Sequence, residues 1–374
     1  MPHKKVMLMY ISEVSGHHCA TLAVEKELKI LSPGIEVLNI NAFNYTNPIS
    51  EKVVNSIYMG VIKSTPGIWD YLYDNPQIAR RVESIKKTIH LINSKKLKIL
   101  FDRFRPDVVV CAQAFPCGMV ADYKNVYSSP LPLIAVLTDY IPHSYWIYDT
   151  VDFYVTPSEE MSTRLVRRGV VPEKIKALGI PFDAKFSKEM SKAQARNKLG
   201  LRQDIFTVLI MGGGHGLGPV KSIVKSLEKL TFPIQELIVT GINKQLYRSL
   251  RRKVKKNKQK TILYGYVNNI EELMAAADII ITKPGGVTAA EALTKKLPMI
   301  IIHPIPGQEM NNTIFLVEKG AAIKIDSAVE INPVIEDLVR NPYKLKYLSE
   351  SAAKISKPNA SIDIAKLILN SIND

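Results

Sequence analysis

The sequence predicts an α/β protein built from two doubly wound halves, each a parallel sheet flanked by helices. Short apolar runs of strand length alternate with amphipathic stretches of helix length, which is the pattern of strand-helix-strand crossovers. The alternation occurs twice, on either side of a segment LGIPFDAKF punctuated by Pro181. A chain of 374 residues, 46% of them hydrophobic, is long enough to bury a core in each half.

In the first half the runs VMLMYI, IEVLNI, DVVVC, LIAVL and FYVT place strands at 6–11, 35–40, 107–111, 133–137 and 153–156. In the second, TVLIM, ELIVT, TILY, DIIIT, PMIII and AIKI place them at 207–211, 236–240, 261–264, 278–282, 298–302 and 322–325. The hinge falls at 180–188. This divides the chain into an N-terminal domain at 1–182 and a C-terminal domain at 183–358. The remaining residues, 359–374, read SIDIAKLILNSIND after Pro358 and Asn359-Ala360, and form a helix expected to pack back on the first domain.

The apolar runs are far short of the ~20 residues a membrane-spanning helix needs. The run after Lys4 and Lys5 is also too short for a signal peptide and leads into SEVSGHH. Three cysteines, Cys19, Cys111 and Cys117, are an odd number without zinc-ligand spacing, which fits a reduced, cytosolic setting.

The formal charge of +15 favours contact with polyanions. Residues 1–180 carry 21 Lys and Arg against 17 Asp and Glu, and residues 181–374 carry 29 against 18. Much of the second excess lies in KQLYRSLRRKVKKNKQK, Lys244 to Lys260, with nine basic residues and no acidic one. Such a run is either the solvated face of a helix or a contact for an anionic surface.

In doubly wound folds the ligand loops gather at the C-terminal ends of the strands. Two such loops in the second half carry glycine. MGGGHGLGPV follows the strand FTVLIM, yet no register of it gives the dinucleotide fingerprint or a phosphate-binding P-loop. It leaves a backbone that a ligand can approach closely, or a tight turn. The other is TKPGGVTAAEALTKKLP, where Pro284, Gly285 and Gly286 hand over to a helix from about Val287. The first N-H groups of that helix favour a phosphate. Glu291, about a turn further on, is placed to accept both hydroxyls of a ribose joined to it, or else it only complements the helix dipole. Two such loops and a ribose acceptor point to a nucleoside diphosphate.

The motifs SGHHCA, TDYIPHSYW, GIPFDAKF, MGGGHG, YGYVNNIEELMAAADIIITKPGGVTAAEAL and IPGQEMNN, in this order, make the chain resemble a known family over almost its whole length. It is similar to the bacterial processive diacylglycerol β-glucosyltransferases and the plant monogalactosyldiacylglycerol synthases. More distantly it is similar to the peptidoglycan lipid I N-acetylglucosaminyltransferase. The resemblance implies the GT-B arrangement, two facing Rossmann-like domains, and inverting transfer from a UDP-sugar without an essential metal ion or other cofactor. It places uracil beside the backbone of Tyr266 and Val267, ribose on Glu291, and the diphosphate against Gly214, His215, Gly286, Val287 and Thr288. Gln308 and Glu309 would face the sugar hydroxyls, because an amide and a carboxylate together read several hydroxyls, with Asn312 beside them.

The reaction needs a base for the acceptor hydroxyl. The resemblance and the near-neutral titration of histidine assign it to His17, either deprotonating or positioning the acceptor. Asp139 is expected to orient the histidine or to replace it. Where the family often has more glycine before this histidine, this chain has Val14 and Ser15, and His18 is a rival. His143 and Trp146 are read as bracing their loop.

The irregular stretch 45–104 is aromatic and apolar around 57–73, with Trp69 and Leu72. From Arg80 and Arg81 to Arg105 it carries nine Lys and Arg against Glu83 and Asp102. That is the composition of an interfacial anchor, in which each basic residue near an anionic surface adds ~1 kcal/mol. The expectation is a peripheral enzyme on the cytoplasmic face of the cell membrane, touching anionic lipids and taking diacylglycerol as acceptor. The expected transfer is of a hexose, glucose rather than galactose, either once or processively. A galactose-transferring synthase, a soluble UDP-sugar epimerase and a non-enzymatic polyanion binder are the alternatives. No specific nucleic acid partner is expected, since the chain lacks an RNA or DNA module.

Overall fold

The computed structural model describes residues 4–42, 94–141, 144–305 and 307–372. Trp69, Leu72, Arg80, Arg81 and His143 lie outside the described residues. The chain divides into two compact units, one of residues 1–184, 305–308 and 359–374, the other of 185–304 and 309–358.

The first unit holds β1 (Lys5–Tyr10), β2 (Glu36–Asn41), β3 (Val108–Cys111), β4 (Leu133–Val136), β5 (Phe153–Val155) and β6 (Ile175–Lys176). They form one parallel sheet in the order β2-β1-β3-β4-β5-β6. The strands are apolar on both faces because helices cover both. Met7 and Met9 meet Leu97 and Phe101 of the helix over 94–104, and Met119 and Val120 of helix Ala114–Tyr127. Their neighbours Val6 and Leu8 face the other way, as strand alternation requires. They join Val24 and Leu28 of helix Gly16–Leu31, and Ile364, Ala365 and Ile368 of helix Ala360–Ser371. The C-terminal helix therefore returns to the first core. Ser361 fastens it, accepting the Phe182 N-H at 2.9 Å and donating to the Phe182 carbonyl.

The second unit holds β7 (Phe206–Met211), β8 (Ile234–Val239), β9 (Lys260–Tyr264), β10 (Ile279–Thr282), β11 (Met299–Ile302) and β12 (Ala322–Ile325). They too form one parallel sheet, in the order β12-β11-β10-β7-β8-β9. Val208, Ile210, Ile281 and Ile300 pack against Val220 and Val224 of helix Val220–Leu227 and Ile331 and Ile335 of helix Ile331–Arg340.

Eleven of the twelve strands carry an apolar run that the sequence shows. The exception is β6, two residues paired with β5 at Tyr154 and Ile175, too short to leave a pattern. The basic run forms a helix with one buried edge and an exposed basic face, which both readings of it require. Helix Lys244–Val254 buries Leu246 and Leu250 and exposes Lys244, Arg248, Arg251 and Arg252, while Lys253 pairs with Glu228 at 3.2 Å. Among the described residues no helix is long and apolar enough to cross a membrane.

The strand orders fix where ligands belong. In the first sheet β1 lies between β2 and β3, so the chain winds outward from it in both directions. In the second, β7 lies between β8 and β10 in the same way. Such switch points open a crevice beyond the strand C-termini.

Candidate functional site

At the first switch point the loop after β1 leads into helix Gly16–Leu31, whose N-cap Ser15 accepts the His18 N-H at 3.2 Å. His17 follows on the first turn, half-buried, and its Nδ1 lies 2.9 Å from the Ala112 carbonyl just beyond β3. The Thr138 hydroxyl, two residues beyond β4, lies 2.9 Å from the same nitrogen. A carbonyl only accepts, so Nδ1 carries the hydrogen and the neutral ring keeps its lone pair on Nε2. Burial lowers the pKa of His17, opposed by the negative charge of Asp139 and by the Ala112 carbonyl. The ring is thereby fixed in direction, and its burial favours the neutral form that keeps the Nε2 lone pair. The contacts that orient the ring come from Ala112 and Thr138, neither of which the sequence singled out, while Asp139 acts on it through its charge.

His18 has different contacts. Its ring stacks on Tyr10 with centroids 4.0 Å apart and planes 10° apart, and its Nδ1 lies 2.7 Å from the Glu13 carbonyl. The Tyr10 hydroxyl donates to the Glu13 carboxylate at 2.7 Å, closing a clasp around the loop.

At the second switch point two turns meet. The loop over 212–218 is exposed at Gly214 and His215 and is held by the Gly216 N-H on the Gly213 carbonyl, 3.0 Å, and the Leu217 N-H on the Gly212 carbonyl, 2.9 Å. It is clamped to the turn after β8 by the Ile242 N-H on the Gly214 carbonyl, 2.9 Å. The clamp needs glycine, since a Cβ on Gly216 would stand 2.1 Å from the Thr240 carbonyl oxygen, at φ +59°. Across from it, helix Gly286–Thr294 starts one residue earlier than its sequence suggests, after an N-cap Gly285 that offers no side-chain cap. Its first intrahelical bond runs from the Ala289 N-H to the Gly285 carbonyl, 2.9 Å, so the N-H groups of Gly286, Val287 and Thr288 precede it. The open side of Gly285 has no atom within 4 Å of where a Cβ would stand. Glu291 is partly exposed on the second turn of this helix, and Tyr266 is exposed just beyond the edge strand β9, with Val267 partly exposed beside it.

Gln308 and Glu309 open helix Gln308–Glu318 and are partly exposed. Two residues of this helix have partners around the Pro284 turn. Asn312 is fully buried and its Nδ2 donates to the Pro284 carbonyl at 3.0 Å, which holds the turn from beneath. Glu309 is ion-paired with Lys283 at 2.6 Å, a partner the sequence reading passed over although it adjoins the Pro-Gly-Gly turn. Among the described residues no group of three or more His, Cys, Asp and Glu side chains is arranged to hold a metal ion. Within the first unit, a shallow hollow of about 530 Å³ between Arg105 and Pro132 lies at the N-terminal ends of β3 and β4, away from the loops that carry His17 and Thr138.

Solved structures share this fold at low identity. Acinetobacter baumannii MurG is 14% identical with a TM-score of 0.64 over 98% of this chain and 99% of that one. An S. aureus MnaA-UDP co-structure is 15% identical with a TM-score of 0.64 over 99% and 98%. Both support a GT-B fold, and neither decides the reaction. The glycosyltransferase family 28 C-terminal domain matches residues 207–368, which makes the chain a glycosyltransferase. The monogalactosyldiacylglycerol (MGDG) synthase family matches residues 17–182. A Bacillus cereus processive diacylglycerol beta-glucosyltransferase is 33% identical over 98% of this chain and 93% of its own length. The Bacillus pumilus enzyme of the same name is 29% identical over 98% and 95%. The chain belongs to the family of processive diacylglycerol β-glucosyltransferases and monogalactosyldiacylglycerol synthases.

Proposed function

We propose that this glycosyltransferase moves glucose from UDP-glucose to the free hydroxyl of 1,2-diacylglycerol, with inversion, as a peripheral enzyme of the cytoplasmic membrane face. The observation that carries the reading is near-full-length likeness to the named diacylglycerol glucosyltransferases, joined to an imidazole whose Nδ1 is tied down and whose Nε2 is left to take a proton. In this reading His17 Nε2 removes the proton of the acceptor hydroxyl as its oxygen attacks the anomeric carbon. The bond from that carbon to the UDP oxygen breaks, and the charge appearing on UDP is stabilised by the N-terminus of helix Gly286–Thr294 and the backbone around Gly214 and His215. Glu291 accepts the ribose hydroxyls, Tyr266 and Val267 offer backbone to uracil, and Gln308 and Glu309 read the hexose. Trp69 and Leu72 supply apolar insertion and Arg80 and Arg81 attraction to anionic lipid. The match to the monogalactosyldiacylglycerol synthase family keeps galactose as the second reading.

The test is transfer from radiolabelled UDP-glucose and UDP-galactose to vesicles of diacylglycerol and phosphatidylglycerol, with separation of the lipid products. A monoglucosyl lipid, followed by higher homologues if transfer repeats, is the expected product. Label in galactolipid alone would move the assignment to a galactosyltransferase. Conversion of UDP-N-acetylglucosamine without any labelled lipid would make the chain an epimerase.

A further inference from the structure

Lys283 stands at the end of β10, where the strand gives way to the Pro284-Gly285 turn. Its stem runs alongside the glycine loop, with Cγ and Cδ each 3.8 Å from where a Cβ on Gly218 would stand. Its ammonium donates to Glu309 Oε1 at 2.6 Å, and the two side chains are only 15% and 17% exposed. Three residues on, on the same face of helix Gln308–Glu318, Asn312 donates to the Pro284 carbonyl. The start of that helix is thus bound to the end of β10 by one ion pair and one hydrogen bond, both inside the second unit.

An ion pair this enclosed gives back much of its Coulomb energy as desolvation, so stability alone is a weak reason for it. Its geometric effect is definite. A glutamate on the first turn of a helix has three side-chain torsions to fix, and the ammonium fixes them by holding one oxygen. A carboxylate has about four lone-pair sites, so it can serve a lysine and a sugar hydroxyl together.

We propose that Lys283 is a positioning residue, whose ammonium aims the Glu309 carboxylate at the hydroxyls of the donor hexose and so sets the preference between hexoses. The proposal rests on the reading of Glu309 as a sugar-facing residue. Glucose and galactose differ in the direction of one hydroxyl. A carboxylate held in one direction separates them, and one free to swing accepts both.

The experiment uses the full chain and measures two things, the affinity for UDP by calorimetry and kcat/KM for UDP-glucose and UDP-galactose on diacylglycerol vesicles. Lys283→Met keeps the stem and removes the charge. It should leave UDP affinity within about twofold and lower kcat/KM for UDP-glucose by about tenfold or more, with a narrower ratio between the two sugars. Lys283→Arg, which can still pair, should recover most of the loss. Lys283→Met combined with Glu309→Gln should be no worse than the weaker single variant, because both changes break one device.

Should UDP affinity fall as far as kcat/KM in Lys283→Met, the ammonium serves the diphosphate directly and the proposal is overturned. Multiplicative losses in the double variant would overturn it as well. If Lys283→Met does not fold, Lys283→Arg and Glu309→Gln carry the same comparison. Parent-like kinetics in Glu309→Gln would remove the sugar-reading role itself, whereas an impaired Glu309→Gln beside an unimpaired Lys283→Met would remove only the role of the lysine.

Discussion

Gly216→Ala should loosen the join between the glycine loop and the turn after β8, and the size of the effect follows from two separate costs. The residue has φ +59°, where an L side chain costs ~1–2 kcal/mol. The new Cβ would also stand 2.1 Å from the Thr240 carbonyl oxygen and 3.0 Å from the Asn243 Cβ. Ordinary carbon-oxygen contact needs about 3.3 Å, so one of the turns must retreat by about 1 Å. That movement gives up the Asn243 Nδ2 bond to the Gly216 carbonyl and the Ile242 N-H bond to the Gly214 carbonyl. At about 0.5–1.5 kcal/mol each, they bring the total to about 2–5 kcal/mol. Gly213→Ala is the control, because it has φ +68° and no atom within 4 Å of its Cβ position, and should lose only the conformational ~1–2 kcal/mol. Urea unfolding gives the stability difference, and amide hydrogen exchange over 212–218 and 240–243 locates it. Equal losses in the two variants would refute the close approach as the reason glycine stands at 216.

His17→Ala should lower kcat by ~10²–10⁴ with UDP affinity little changed, as befits a base on the acceptor side. In the parent, kcat/KM should fall as pH drops through the lowered pKa of His17, because only the neutral ring accepts a proton. Asp139 raises that pKa, so Asp139→Asn should move the acid limb of the profile to lower pH, and a shift to higher pH would reverse the assigned sign. Glu291→Ala should weaken UDP binding by about 1.5–3 kcal/mol, the worth of a hydrogen bond to a charged group, while the helix start above it stays intact. Calorimetry on the folded variant checks this, and unchanged affinity would remove Glu291 from the ribose.

Much of the architecture is readable in the sequence because both sheets are parallel and covered on both faces, which writes each strand as an apolar run. The pair Ile175 and Lys176 escapes, since a two-residue edge strand buries almost nothing. The glycine loops are readable because chemistry forces glycine where backbones approach. What sequence spacing does not carry is which distant residues touch. Thr138 reaches His17 across 121 positions and Ala112 across 95, and only the strand order β1-β3-β4 brings them together. Lys283 reads as one more cation before a turn until the helix at 308–318 returns beside it. Nor does spacing show that the His18 ring stacks on Tyr10 while the His17 ring is held by Ala112 and Thr138.

The first core is finished by residues that the ribosome makes after the whole second unit. Ile364, Ala365 and Ile368 complete the layer begun by Val6, Leu8 and Val110. At about 5–20 residues per second, the stretch 185–358 takes roughly 10–35 s to synthesise. Throughout that interval the apolar side chains of Val6, Leu8, Val24 and Leu28 lack the cover that helix Ala360–Ser371 gives them in the complete chain. A chain broken anywhere in the second unit lacks Ile364, Ala365 and Ile368, which leaves Val6, Leu8, Val24 and Leu28 without that part of their packing. The last layer of the first core thus depends on residues at the far side of the second unit in the sequence.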